Sequence, residues 1–151
     1  MEEEVQYLLI SLTSYVVLLW LMIFLPYAHA SDNTIAIQTK GTSTSISIDQ
    51  SGSSNTTTVW CGLSNGTYTT HTCSNATMTI DQHGTSNIAR AYSQVSNHND
   101  NVYIINQNGN SNNGYIDLDD DDNLATITQT GDSNYGEIYM KGDDNVYTIT
   151  Q

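Results

Sequence analysis

From residue 33 to residue 151 one apolar position recurs at an eleven-residue step with only two breaks in spacing. The column runs Ile37, Ile48, Val59, Ile80, Ala91, Ile105, Ile116, Ile127, Ile138 and Ile149. Four residues before each stands Asn33, Thr44, Asn55, Ala76, Asn87, Asn101, Asn112, Asn123, Asn134 or Asn145. Taking that residue as position 1, positions 1, 3, 5 and 7 point one way along a strand and positions 2, 4 and 6 the other. Gly41, Gly52, Gly84, Gly109, Gly131 and Gly142 occupy position 9. Glycine there reaches turn conformations that other residues adopt only at a cost. Each unit therefore reads as a seven-residue strand and a four-residue turn, and a unit this short cannot bury its own apolar face. Stacking is the remedy, and the pattern predicts a solenoid.

Position 7 carries a longer period. Gln50, Gln82, Gln107, Gln129 and Gln151 occupy it in alternate units, with Thr39, Cys61, Ser93, Leu118 and Met140 between them. The repeat is then two strands, or 22 residues. The expected fold is all-β: a β-solenoid of stacked strand-turn-strand arches, two facing parallel sheets and about five repeats, some 24 Å tall at about 4.8 Å per rung. Its narrow core holds Asn and Gln beside Ile, Ala, Gly and Tyr. Buried amides need partners, and identical amides stacked in columns can bond from rung to rung. The expected ladder is Gln50, Asn55, Gln82, Asn87, Asn101, Gln107, Asn112, Asn123, Gln129, Asn134, Asn145 and Gln151.

The motif Ile-x-Gln-x-Gly-x-x-Asn stands at Ile48 to Asn55, Ile80 to Asn87, Ile105 to Asn112 and Ile127 to Asn134. It resembles the curlin repeat of the curli amyloid subunits, and the likeness spans residues 33–151. The resemblance implies a bacterial extracellular functional amyloid that self-associates into fibres of the biofilm matrix, with roles in adhesion and cell aggregation. It also implies a nucleator subunit and outer-membrane secretion machinery as partners. The intact last repeat is more like the elongating major subunit than the nucleator. The chain departs from the family in having no Gly-rich export segment ahead of the repeats.

Residues 1–30 read as a cleaved secretory signal, with an apolar run from Val5 to Leu25 and Ala28-His29-Ala30 before Ser31. The acidic start, Glu2-Glu3-Glu4, leaves a retained membrane anchor or a wrongly assigned start as alternatives. The formal charge is −13, and those three glutamates account for three of it, leaving −10 for residues 31–151. Such a balance excludes nucleic acid as a partner, because phosphate binding needs a basic footprint. It keeps the chain soluble before assembly.

Asp119, Asp120, Asp121 and Asp122 replace a whole turn, and Asp143 and Asp144 occupy the same turn one 22-residue repeat later. They read either as solvated charges that discourage premature aggregation or as calcium ligands. Cys61 and Cys73 flank an insertion at residues 62–75. If residues 65–71 formed an extra strand, the Gln column would change sheets at Gln82; a looped excursion keeps it in one. The loop is favoured, pinched by a Cys61–Cys73 disulfide worth about 3 kcal/mol in an exported protein. An intermolecular disulfide is the alternative. A metal or redox site is disfavoured, since there is no Cys-x-x-Cys and only His71 is near. Residues 94–100 hold a second, smaller irregularity.

No cofactor is expected, and no nucleophile, base and orienter set stands out. A monomeric secreted binding module for ice, polysaccharide or calcium is the competing function. The outward Thr126–Thr128 and Thr148–Thr150 pairs resemble an ice-binding face, but Ile104 and Asn106 interrupt the column. Both ends of the repeat array read as uncapped, which predicts head-to-tail addition of subunits.

Overall fold

The computed structural model describes residues 32–64, 67, 68, 72–93 and 98–151; the expected leader and His71 lie outside them. Two five-stranded sheets, parallel throughout, alternate along the chain. One stacks β1 (Thr34–Thr39), β3 (Thr56–Cys61), β8 (Ile88–Ser93), β11 (Asn113–Leu118) and β13 (Tyr135–Met140) in that order. The other stacks β2 (Ser45–Ser53), β7 (Thr77–Thr85), β10 (Val102–Asn108), β12 (Leu124–Thr130) and β14 (Val146–Thr150). This is the solenoid of arches that the eleven-residue step predicts. Register is strict: Ile105 lies between Ile80 and Ile127, and Ile116 between Ala91 and Ile138.

The inward columns form a single core. Val59, Ile80, Ala91, Ile105, Ile116 and Ile127 are buried, and Ile138 nearly so. Met78, Tyr103, Ala89 and Ala125 fill position 3 around them. The two strands of an arch run in opposite directions, so position 7 of one sheet meets position 3 of the other. Gln107 and Gln129 thus lie against Gly114, and Gln129 lies against Gly136. A Cβ on Gly114 would stand 3.1 Å from Ile105 Cγ2 and 3.3 Å from Gln107 Nε2. These glycines, unlike those of the turns, have no left-handed backbone and are selected for space alone.

The turns repeat one solution. At Gly84 φ is +111° and a Cβ would sit 2.1 Å from the carbonyl oxygen of Gly109 on the next rung, so no side chain fits. A second left-handed residue follows two positions later at Ser43, Ser54, Ser86, Ser111, Ser133 and Asp144, with φ between 57° and 61°. In the turn made of Asp119 to Asp122, Asp120 (φ 72°) and Asp122 (φ 59°) take both roles. Asp tolerates this region better than most residues.

Gln50, Gln82, Gln107 and Gln129 fall in the sheet of β2, β7, β10, β12 and β14, and Gln151 directly follows β14, its N–H donating to the Thr128 carbonyl. The insertion is therefore an excursion and adds no rung. Its described part pairs β4 (Leu63–Ser64) with β5 (Thr67–Tyr68) antiparallel, and β6 (Cys73–Ser74) runs parallel to β9 (His98–Asn99). Cys61 and Cys73 are joined by a disulfide with Cα atoms 5.4 Å apart. Cys73 N–H donates to the Lys40 carbonyl at 2.8 Å, and Thr44 Oγ1 donates to the Cys73 carbonyl at 3.0 Å. The returning chain is thereby docked on the first turn.

Replacing Gly114 by Val should lower folding stability by about 1–3 kcal/mol through overpacking against Ile105 and Gln107. Val in place of the exposed Tyr135, also on the sheet of β11, should cost much less. Urea unfolding of the two variants under identical conditions tests this.

Candidate assembly site: ladders and end faces

Parallel pairing directs each N–H to a carbonyl on the neighbouring strand, but the left-handed residue before position 1 swings one such carbonyl away. The asparagine side chain replaces it. Backbone N–H groups of Asn55, Asn87, Asn112 and Asn134 donate to Oδ1 of Asn33, Asn55, Asn87 and Asn112, at 2.9, 2.9, 3.0 and 3.0 Å. In the other sheet Asn123 and Asn145 donate to Asn101 and Asn123 at 2.8 and 3.0 Å. The Nδ2 groups hold turn carbonyls, as Asn87 does with His83 at 3.1 Å and Gly109 at 2.8 Å. Stacking of amide on amide was the expectation for this column; the observed bonds run from side chain to main chain. Where Thr44 and Ala76 stand at position 1, their rungs do without the clamp.

The glutamine column does stack amide on amide. Gln50 Nε2 donates to Gln82 Oε1 at 2.6 Å, Gln82 to Gln107 at 2.7 Å, Gln107 to Gln129 at 2.9 Å and Gln129 to Gln151 at 3.1 Å. Each Nε2 also reaches the opposite sheet: Gln107 to the Ile88 carbonyl at 2.9 Å, Gln129 to Asn113 at 3.2 Å and Gln151 to Tyr135 at 2.8 Å. Every donor in the chain of amides points toward the higher-numbered rung. The ladder therefore has polarity, and its first acceptor, Gln50 Oε1, is buried without a hydrogen-bond partner among the described residues.

A third set of ladders, which the sequence reading did not identify, lies in the turns. Thr85 N–H donates to Asn110 Oδ1 at 2.9 Å and Asn110 N–H to Asp132 Oδ1 at 2.7 Å. On the other edge Asn99 N–H donates to Asp121 Oδ1 at 2.8 Å and Asp121 N–H to Asp143 Oδ1 at 3.0 Å. Asp120 Oδ2 accepts from Gly142 N–H at 3.0 Å, and Asp119 Oδ2 from the Tyr139 hydroxyl at 3.2 Å. The acidic turn thus carries backbone-binding carboxylates. Among the described residues no group of three or more His, Cys, Asp or Glu side chains is placed to hold a metal ion. The signal available in sequence was an Asn or Asp two residues before position 1 in successive repeats.

Asp122 stands apart because its charge faces like charges. Its carboxyl lies above the usual range, first through reduced hydration and then through Asp100, Asp144, Asp121 and Asp143. Near the other edge Ser51 Oγ bonds His83 Nδ1, and His83 Nε2 is 2.9 Å from Asp81 Oδ1. Sequence reading did not find this trio. His83 and Asp81 are 48% and 40% exposed, and among the described residues Asp81 Oδ1 makes no aligned hydrogen bond. Water in such an open setting weakens the electrostatic stabilisation that makes a buried trio catalytic.

The end strands expose what inner rungs bury. Ile35 and Ile37 of β1 are 51% and 47% exposed although they occupy inward positions, and Tyr147 of β14 is 58% exposed. Inward residues of the middle rungs are buried.

Residues 121–151 match the family model described as the curlin associated repeat. No curated protein and no solved structure matches the chain. The matched segment contains β12, β13 and β14, and the same register of Ile, Asn and Gln continues back through β1.

Asn123→Ala should cost about 1–3 kcal/mol, because it strips the Asn145 N–H of its acceptor; urea denaturation of freshly dissolved chain measures it. Asp122→Asn should raise the melting temperature at pH 7. A carboxyl whose folded pKa is raised destabilises the fold as pH climbs from the ordinary carboxylate value through the raised one. The advantage should therefore fade toward about pH 3 and shrink in high salt.

Proposed function

We propose that this chain, which carries the curlin associated repeat at residues 121–151, is the structural subunit of a curli-like extracellular fibre, built by head-to-tail self-association. The observation that carries this reading is the complementarity of the two end faces. A second copy placed on β13 and β14 would lay its β1 along β13 and its β2 along β14, continuing both sheets in register. Ile35 and Ile37 of that copy would then cover the exposed Tyr147 and the half-buried Ile149. Gln50 Oε1 would meet Gln151 Nε2, and the Asn33 N–H would meet Asn134 Oδ1, repeating the contacts made within one subunit.

Such a contact is heterologous and does not close, so it propagates. The ladder polarity gives the fibre a direction, and reversed addition would set amide donor against donor. Turn carboxylates and the net negative charge oppose random edge pairing while leaving the in-register contact available.

The wider reading follows the repeat family: a secreted major subunit in a biofilm matrix, serving adhesion and cell aggregation. On this reading a nucleator starts the fibre, and residues 1–30 direct export through the periplasm to an outer-membrane secretion machinery. No catalytic role is assigned.

Thioflavin fluorescence with electron microscopy on the chain, seeded and unseeded, tests the assembly. Ile37→Lys should slow elongation at least about tenfold by placing a charge in the end face. Val146→Lys, at an outward position of β14 that is 68% exposed, should change it little. A wild-type chain that stays monomeric at high concentration, with β circular dichroism and a cooperative melt, would overturn the reading.

A further inference from the structure

The outer face of the sheet formed by β1, β3, β8, β11 and β13 is unlike the rest of the surface. Trp60 and Tyr92 stack at 4.7 Å with planes 10° apart. Tyr115 turns nearly perpendicular to Tyr92, at 5.4 Å and 88°, which ends the stack. Beyond it opens a shallow cleft of about 230 Å³ lined by Arg90, Asn113, Tyr115, Tyr135 and Glu137. These are outward residues of three successive strands, brought together by the parallel register.

Arg90 is the unusual member. The chain has three Lys and Arg residues against sixteen Asp and Glu, yet among the described residues Arg90 forms no ion pair, and it donates to the Asn113 amide oxygen at 3.3 Å. Glu137 lines the same cleft and accepts from the Tyr135 hydroxyl. Tyr115 donates to Asp117 Oδ2 at 3.0 Å, which fixes the ring from the neighbouring column. The guanidinium therefore keeps most of its five donors available, beside a carboxylate and an amide that accept.

We propose that this cleft binds a neutral pyranose unit of a glycan chain. Vicinal sugar hydroxyls both donate and accept, matching the planar donors of Arg90 and the acceptor oxygens of Glu137 and Asn113. The C–H face of a pyranose is apolar and suits a tyrosine ring with a wet hydroxyl edge. Charge selects the class: Glu137 balances Arg90 within the cleft, and the acidic chain repels uronates, phosphates and nucleic acid. The open shape lets a polymer pass across it. In a fibre the cleft would recur once per subunit, so weak single contacts would add through multivalency. The inference concerns the flank of the solenoid and does not rest on assembly at its ends.

Equilibrium dialysis of the full chain against fluorescently labelled cellohexaose, maltohexaose and an alginate hexamer tests it, and it reads binding whether the protein is soluble or fibrous. One or both neutral hexamers should bind saturably and the alginate hexamer should not. Arg90→Gln and Tyr135→Ala should each weaken binding about tenfold or more, the loss of about one charged hydrogen bond or one ring contact. Thioflavin kinetics of the Arg90→Gln variant should match wild type. Absence of binding by both neutral hexamers, equal binding of alginate, or unchanged affinity in both variants would overturn the proposal. Variants that leave sugar binding absent but alter fibre bundling would reassign the face to lateral contact between copies.

Discussion

Every corner of this solenoid creates the same deficit. A left-handed residue reverses the chain, and the main-chain carbonyl that parallel pairing would offer to the next rung is turned away. The Oδ1 atom of the position-1 asparagine supplies that acceptor in six places, from Asn55 on Asn33 to Asn145 on Asn123. An orphaned backbone N–H in a core costs about as much as a lost hydrogen bond, so the asparagine recovers at each of these six places what the turn gives up. The strictness of register follows, because an asparagine displaced by one residue would point out of the core and leave the N–H unsatisfied.

The glutamines do different work. They cross the narrow core from one sheet to carbonyls of the other, and glycines at positions 114 and 136 make the room. With one amide hydrogen used across the core, the other is aimed along the stack, always in the same direction. Sheet-to-sheet cohesion and rung-to-rung polarity thus come from one side chain. The apolar column fills the remaining volume with small and β-branched residues.

The departures from the repeat are placed where they cost least. The insertion leaves after Cys61 and returns at Cys73, and the disulfide closes the loop while Cys73 reoccupies a core position with 1% exposure. The next strand, β7, then pairs with β2 as though nothing intervened. Asp120, Asp121, Asp132 and Asp143 sit in turns, where their carboxylates accept from backbone N–H groups of the neighbouring rung. Trp60, Tyr92, Tyr115, Tyr135 and Tyr139 sit on one outer face, where equal rung spacing allows Trp60 and Tyr92 to stack.

Periodicity alone determined the strands, their inward faces, the turn glycines and the two-strand repeat. Each of these follows from a local rule applied many times: alternation along a strand, a glycine at a corner, and glutamine in every second unit. The single-sheet placement of Gln50, Gln82 and Gln107 was legible too, since an added strand would have split the column. The partner of each asparagine was not legible, because a side-chain amide can bond an amide or a main-chain N–H, and only the swing of the turn decides which. The left-handed role of Asp120 and Asp122 likewise depended on the turn backbone. Ser51, His83 and Asp81, and the cleft of Arg90, Tyr115 and Glu137, join residues from different rungs. Their meeting was decided by the register between strands far apart in sequence, which tertiary stacking sets and no single repeat contains.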